Sequence, residues 1–464
     1  MSKLLRLFAC SVALAAWASA TGTFRVREPP ESLCPTAGDG MVGYYDFAYT
    51  DDDAKHLFFW FAESRGDPAN DPLVLWMSGG PGASSVAFGL FEELGPCLIE
   101  KPGAAKGNEY AWNTNANVLF VDQPVRVGYS YSDDPVKTLA EATEDMYRFL
   151  TAFIAEYPRF ATQDFYIIGE SFGGTWVPAL ARAIDYKQSS SMAHVVRATS
   201  PGNASHLINL KGIGLGNAQL SQSLQWPGFY PTGCMGDEPL FNASACAAME
   251  AGMAECVAML EICAGSADVC GPVLDRCRRQ SVFLILETGL NPYDFRKPCK
   301  VPGLCFEEAL WVEEYLNSTE AREALGVPLG VQFSNVDEEL GADFVASGDM
   351  AVDPIGWVED LLAKCADQDH RNQDYRVLIY AGNKDWFCNA EGERRMADGI
   401  RWKHQGGFQA ARARDWSVRG HVAGDLKEYG RLAFAEVYDA GHMVPADKPE
   451  EALFLINSWL GGSL

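Results

Sequence analysis

The hydrophobic positions of this chain gather into short apolar runs. Leu57–Phe61, Leu73–Met77, Val118–Val121, Phe165–Ile168, Ile208–Leu215, Val377–Tyr380 and Phe434–Tyr438 end in glycine or other turn residues. Runs of this length, rich in β-branched and aromatic residues, predict buried strands. Between several of them the apolar spacing becomes helical, as in "LAEATEDMYRFLTAFIAEYP" from Leu139. Strands alternating with helices predict a mostly parallel sheet with helices on both faces. The early "MVGYYDFAYTDDDAKHLFFWFA" predicts an antiparallel hairpin at the sheet edge.

This rhythm breaks between residues 221 and 343, where strand signals fade and eight cysteines lie between Cys234 and Cys305. The break predicts an insertion that caps the C-terminal edge of the sheet. It divides the chain into a first core part (21–220), the cap (221–343) and a second core part (344–464). Cys256, Cys263, Cys270 and Cys277 stand at seven-residue steps, close to two helical turns, so they return to one face. The nested pairs 256/277 and 263/270 flank the turn "AGSAD" and predict a helical hairpin stapled by two disulfides. A structural metal site is the weaker reading of the same cysteines. The loops closed are short, so each bridge is worth about 2–3 kcal/mol.

Composition narrows the class. With 464 residues and 48% hydrophobic content, the chain can bury the core of a large α/β unit with an insertion. A net charge of −25 argues against nucleic acid as a partner. The same charge suits a protein that works in acid, or one that merely keeps its surface soluble. Residues 1–20, "MSKLLRLFACSVALAAWASA", place Lys3 and Arg6 before a short apolar stretch and end in a small-x-small cleavage site. They read as a signal peptide. No later run is long and apolar enough to span a bilayer. Entry into the secretory route makes disulfides the leading reading of the cysteines. Sequons begin at Asn203, Asn242 and Asn317 and predict glycans on exposed loops.

The chemistry centres on "DFYIIGESFGGTW", from Asp164. Gly169-Glu170-Ser171-Phe172-Gly173 fits G-x-S-x-G between a strand run and the plausible helix "TWVPALARAI". Strand, sharp turn and helix are what a nucleophile elbow needs. A serine nucleophile also needs a base, and the base an orienting acid. His442 sits where the strand "FAEVYD" runs into a glycine-bearing loop, and Asp385 lies just past "RVLIYAG". The order Ser171, Asp385, His442 is that of an α/β-hydrolase. The oxyanion requires backbone N–H donors: Phe172, after the nucleophile, and Gly80 in the glycine loop of "LVLWMSGGPGASS". That loop lacks the lysine of a phosphate-binding loop. No metal and no cofactor is called for.

The motifs "WMSGGPGASS", "FEELGP", "WNTNANVLFVDQPVRVGYSYS", "GESFGGTW", "YAGNKDWFCN" and "AGHMVPADKP" occur in this order from Trp76 to Pro449. The chain resembles the serine carboxypeptidases, in particular the carboxypeptidase Y and cathepsin A group. The resemblance implies an α/β-hydrolase with a disulfide-rich helical cap. It implies Ser171, Asp385 and His442 as the triad, with Gly80 and Phe172 as oxyanion donors. Release of C-terminal residues through an acyl-enzyme at acidic pH is the implied activity. Glu170 and Glu93 match the family's pair of acids that hold a substrate's terminal carboxylate, with Ser78 and Gly79 beside them. Two acids beside a carboxylate must carry protons, so binding should favour acid. Ser78 stands where the family usually has asparagine, and its hydroxyl reaches less far.

The resemblance further implies the bridges Cys234–Cys246, Cys256–Cys277, Cys263–Cys270 and Cys299–Cys305, and leaves Cys34, Cys97 and Cys365 unassigned. Cys388 is implied as a free thiol lining the site, and Met443 as a wall of the leaving-residue pocket. A bridge common in such relatives is missing, because Ala83 and Ser334 stand at its ends. The partners implied are peptides with a free C-terminus, with a homodimer compatible. The location is a lysosome, a vacuole or the exterior. An acyltransferase of the same fold is the rival activity. A binding role that protects other lysosomal or vacuolar enzymes is the rival outside catalysis.

Overall fold

A computed structural model describes residues 22–50, 53–189, 208–235, 238–263, 267–301, 303–364 and 375–464. The signal segment 1–20, Asn203 and Cys365 lie outside the described residues.

The apolar runs become the inner strands of one twelve-stranded sheet. Its strands are β1 (Thr23–Arg27), β2 (Gly40–Ala48), β3 (Ala54–Ala62), β4 (Leu73–Met77), β5 (Asn117–Val121), β6 (Tyr131–Ser132), β7 (Phe165–Ser171), β8 (Leu210–Ala218), β9 (Arg376–Gly382), β10 (Arg414–Val418), β11 (His421–Tyr429) and β12 (Leu432–Val437). The spatial order is β1-β2-β3-β5-β4-β7-β8-β9-β12-β11-β10, with β6 beside β3. The neighbours from β5 through β4, β7, β8 and β9 to β12 are parallel. Antiparallel pairs finish both ends. Parallel strands are buried on both faces, which is why β4 and β5 are buried along their whole length.

Helices cover the two faces. α1 (Leu139–Glu156) starts with a capping box, in which Thr138 accepts from the Glu141 N–H and Glu141 reaches back to the Thr138 N–H. Its Met146, Phe149, Leu150 and Phe153 pack with Leu180 and Ile184 of α2 (Gly173–Ser189) in one core. The opposite face carries Val86, Leu90 and Phe91 of the π-helical segment Ser85–Glu93, together with the C-terminal helix Pro449–Leu460.

The cysteine-rich segment forms a third cluster. α3 (Ala243–Cys263) and α4 (Ala267–Gln280) are joined by Cys256–Cys277 and Cys263–Cys270. Leu260, Leu274 and Ile285 pack there with Trp386, which follows the β9 strand. The structure also holds Cys234–Cys246, Cys299–Cys305 and Cys34–Cys97. The last was not assignable from sequence. It spans a separation of 63 residues, so its loop-closure contribution is larger, about 4 kcal/mol.

Two features were not anticipated. Strands β10 and β11 form an antiparallel hairpin on the far edge of the sheet. β10 reads Arg-Asp-Trp-Ser-Val with only Trp416 and Val418 buried, the alternation of a half-exposed strand rather than an apolar run. Within the cysteine-rich segment a two-stranded piece, Leu290–Asn291 with Asp294–Pro298, supplies the loop that meets His442.

The sequons differ in environment. Asn242 is exposed, and its Oδ1 accepts from the Ala245 N–H at 2.9 Å, leaving Nδ2 outward. Asn317 Nδ2 instead donates to Glu313 O (3.0 Å) and Phe333 O (2.9 Å), while its Oδ1 accepts from the Phe333 N–H (2.8 Å). A glycan on Asn317 would replace one of the two donating Nδ2 hydrogens and so forfeit at least one of these bonds, worth about 1 kcal/mol. Peptide mapping after enzymatic deglycosylation should find Asn242 converted to aspartate and Asn317 unmodified.

Candidate active site

Each proposed triad residue stands at or just beyond the C-terminal end of a central strand. Ser171 ends β7 with φ +61°, a conformation uncommon outside glycine, and α2 starts two residues later. The turn is packed so closely that a Cβ on Gly79 would lie 2.5 Å from both the Phe172 nitrogen and the Ser171 Cβ. Glycine at 79 therefore lets the loop after β4 lie against the nucleophile. Gly80, next along, has φ +104°.

Asp385 follows β9 and is completely buried. Its Oδ2 accepts from His442 Nδ1 (2.6 Å), Asn217 Nδ2 (2.9 Å) and the Cys388 N–H (3.1 Å), and its Oδ1 from the Phe387 N–H (2.9 Å). Four donors converge on this one buried carboxyl and fix its orientation. His442 follows β12, its backbone N–H held by Tyr293 O at 2.7 Å and its ring 5.1 Å from the Tyr293 ring. With Nδ1 donating to Asp385, the neutral imidazole keeps its lone pair on Nε2. Nε2 faces the elbow, 3.9 Å from Glu170 Oε1. Asn217 was missed from sequence. It is the penultimate residue of β8, at φ +37°, and its Oδ1 also accepts the Gly382 N–H at 2.9 Å. The available signal was a polar residue at a strand end in "GIGLGNAQL".

Beside this lies a second set of acids. Glu93 and Glu170 are buried together, and burial pushes both carboxyls above their ordinary range, with the charge of Glu93 adding to the shift at Glu170. The two carboxyls hydrogen-bond each other, and no other hydrogen-bond partner reaches either Glu93 oxygen or Glu170 Oε2. Glu92 was overlooked in the sequence. Its carboxyl is unpartnered, and it is pushed up by burial and then by Glu93. Ser78 Oγ accepts from Trp76 Nε1 at 3.0 Å, which leaves its own proton free to donate.

Surrounding groups fix these parts. Buried Asp122 accepts from Ser84 Oγ (2.5 Å), the Val86 N–H (3.2 Å) and the Tyr129 N–H (3.1 Å). It thereby holds the start of the π-helical segment that carries Glu93. Burial pushes Asp122 up to about 6 against these donors. Among the described residues Cys388 is the cysteine without a bridge. Its sulfur lies within 4.8 Å of ligand atoms of Asp385 and His442, and burial pushes the thiol well up, so it is neutral. Met443 follows His442 and is largely buried. The Phe172 ring is not turned to solvent; it packs 5.1 Å from Trp176.

The family model described as serine carboxypeptidase matches residues 30–462. A protein named carboxypeptidase Y homolog A, from Leptosphaeria maculans, is 36% identical over 430 residues, covering 91% of this chain and 74% of that one. Carboxypeptidase Y of Candida albicans is 35% identical over 442 residues, covering 94% and 76%. Among solved structures, the prohormone-processing carboxypeptidase Kex1 of Saccharomyces cerevisiae superposes with a TM-score of 0.77 over 94% of this chain and 96% of its own. At 20% identity that likeness speaks for the fold.

The buried acids make stability depend on pH. Glu92, Glu93, Glu170, Glu393 and Asp122 are all raised on folding, first by burial. Their stability contribution is complete below the ordinary carboxylate range and is lost as pH rises through the raised values. For Asp122 the loss runs from near 4 through about 6 and is on the order of 3 kcal/mol. Thermal unfolding should therefore occur at higher temperature at pH 5 than at pH 8. Glu92→Gln should flatten that slope.

Proposed function

The chain belongs to the serine carboxypeptidase family, and from that premise we propose how its residues divide the work. It is a serine-type carboxypeptidase, a hydrolase that releases C-terminal residues from peptides. His442 Nε2 takes the Ser171 hydroxyl proton as Oγ attacks the carbonyl carbon of the last peptide bond. The N–H groups of Gly80 and Phe172 receive the oxyanion. The imidazolium, oriented by Asp385, returns the proton to the leaving amine, and the terminal residue departs. Water then repeats the sequence on the acyl-enzyme: His442 takes its proton, the ester bond to Ser171 breaks, and the serine hydroxyl is restored.

Selection of the chain end rests on one observation: two buried carboxyls, Glu93 and Glu170, pair with each other, and Glu170 directly precedes Ser171. As neutral acids they donate hydrogen bonds to the terminal carboxylate, with Ser78 and the Gly79 N–H as further donors. When they ionise, two negative charges meet a third, and binding fails. Activity on peptides should thus fall as pH rises through the raised values, about 8 for Glu93, and is bounded below by the need for an unprotonated His442. Cys388 and Met443 line the subsites.

Five disulfides support passage through an oxidising secretory compartment. Among the described residues no helix is long and apolar enough to cross a membrane.

Digestion of matched peptides with free and amidated C-termini from pH 4 to 8 tests the carboxylate grip. Amidation should lower kcat/KM by about 10–100-fold, the worth of hydrogen bonds to a charged group. Equal cleavage at every pH would remove the grounds for the Glu93–Glu170 role. In Glu170→Gln the amide still donates but no longer titrates, so the rise of KM with pH should become shallower. Ser171→Ala should lower kcat by at least about 10⁴-fold.

A further inference from the structure

The two oxyanion donors come from separate parts of the chain, the loop after β4 and the start of α2. Pairing of β4 with β7 and the packing of Gly79 against Phe172 bring the two together, and a further element that touches both can fix their register. One helix does. α5 (Glu338–Ser347) is capped by Asp337, which accepts the Leu340 N–H at 3.0 Å. The backbone leading into it pairs with the glycine loop: Asp337 N–H donates to Gly82 O (3.0 Å), Ser84 N–H donates to Asn335 O (2.9 Å), and Ala83 bridges Val336. A Cβ on Gly82 would meet Asp337 O at 2.7 Å. Two turns further, the Phe344 ring packs 6.0 Å from Phe172 and 5.3 Å from Trp176. The helix therefore abuts the Gly80 loop at one end and the Phe172 donor at the other. No thiol ties this joint, since Ala83 and Ser334 stand there.

Arg126 is what grips the helix. Its guanidinium reaches Asp337 through Nε (2.8 Å) and Nη2 (3.0 Å), Glu339 through Nη2 (2.8 Å) and Asp343 through Nη1 (3.4 Å). The fork on Asp337 is two-pronged and mostly shielded, with side-chain exposures of 20% and 12%, whereas Glu339 is 88% exposed. The residue holds φ +91°, a region that favours glycine, so its backbone is strained where its side chain is engaged. Its loop is anchored in turn: Gly128 N–H donates to Ser334 O at 3.2 Å, and Asp122 binds both Ser84 and the Tyr129 N–H.

We propose that Arg126 is a positioning residue, which sets the two oxyanion donors in register by clamping α5 against both. The proposal rests on the reading of Gly80 and Phe172 as those donors. Removing one oxyanion donor outright costs about 10²–10³-fold in kcat, and letting one drift should cost part of that. Because the clamp is ionic and partly exposed, salt should weaken it.

The test is steady-state kinetics on a peptide with a free C-terminus, in 0.05 and 1 M NaCl, beside the thermal midpoint of each variant. Arg126→Gly relieves the backbone and deletes the clamp. It should lower kcat about 10-fold with KM within about 2-fold, and Arg126→Lys should recover part of the loss. Wild-type kcat should fall with salt, and that of Arg126→Gly should not. If Arg126→Gly is poorly folded, Asp337→Asn keeps the helix cap and the backbone pairing, and should show the same kcat loss and flat salt response. A lowered midpoint with kcat intact would make Arg126 a structural brace only and overturn the proposal. A raised KM with kcat intact would also overturn it. Failure of the underlying site assignment looks different: Ser171→Ala would retain turnover.

Discussion

Everything at this site depends on where a limited number of hydrogen-bond donors is spent. Asp385 takes four of them: the imidazole, the Asn217 amide and two backbone N–H groups. Buried Glu93 has only the Glu170 carboxyl as a partner. Burial alone drives a carboxyl toward its neutral form, and donors drive it back. Four donors hold the Asp385 carboxyl against His442, whereas burial raises the Glu93 and Glu170 carboxyls. The selection of chain ends, as proposed, rests on that uneven allocation.

The scaffold makes the allocation stable. The parallel strands β7, β8, β9 and β12 deliver Ser171, Asn217, Asp385 and His442 from one edge of the sheet. Asn217 stitches β8 to β9 by bonding both Asp385 and the Gly382 N–H. The insertion reaches the same edge, since Tyr293 holds the His442 backbone and Trp386 packs in the cap's own core. Disulfides in that insertion compensate for a helical pair too small to bury much surface alone. The rest of the joint, at Arg126 and α5, is held by charge and backbone pairing.

Ionisation of the buried Glu93 and Glu170 opposes both the fold and, as proposed, the binding of a chain end. Binding and stability should decline together as pH rises, because the same buried groups lose the same protons.

The apolar runs were enough to place the six parallel strands, because strands buried on both faces carry their signal in every residue. β10 escaped, since a half-exposed edge strand shows only Trp416 and Val418 to the core. The elbow at Ser171, and Asp385 and His442 at strand ends, were legible because each sits at a junction that the local pattern marks. The helical hairpin at Cys256–Cys277 was legible from its seven-residue period. What the chain alone could not reveal was every contact between segments far apart in sequence: Cys34 with Cys97, Asn217 with Asp385, Arg126 with Asp337. Nor could it tell that Asn317, a formally acceptable sequon, has its amide engaged by Phe333. Local propensity is written in neighbouring residues, whereas partner choice and burial are settled only when the sheet closes and the insertion docks against it.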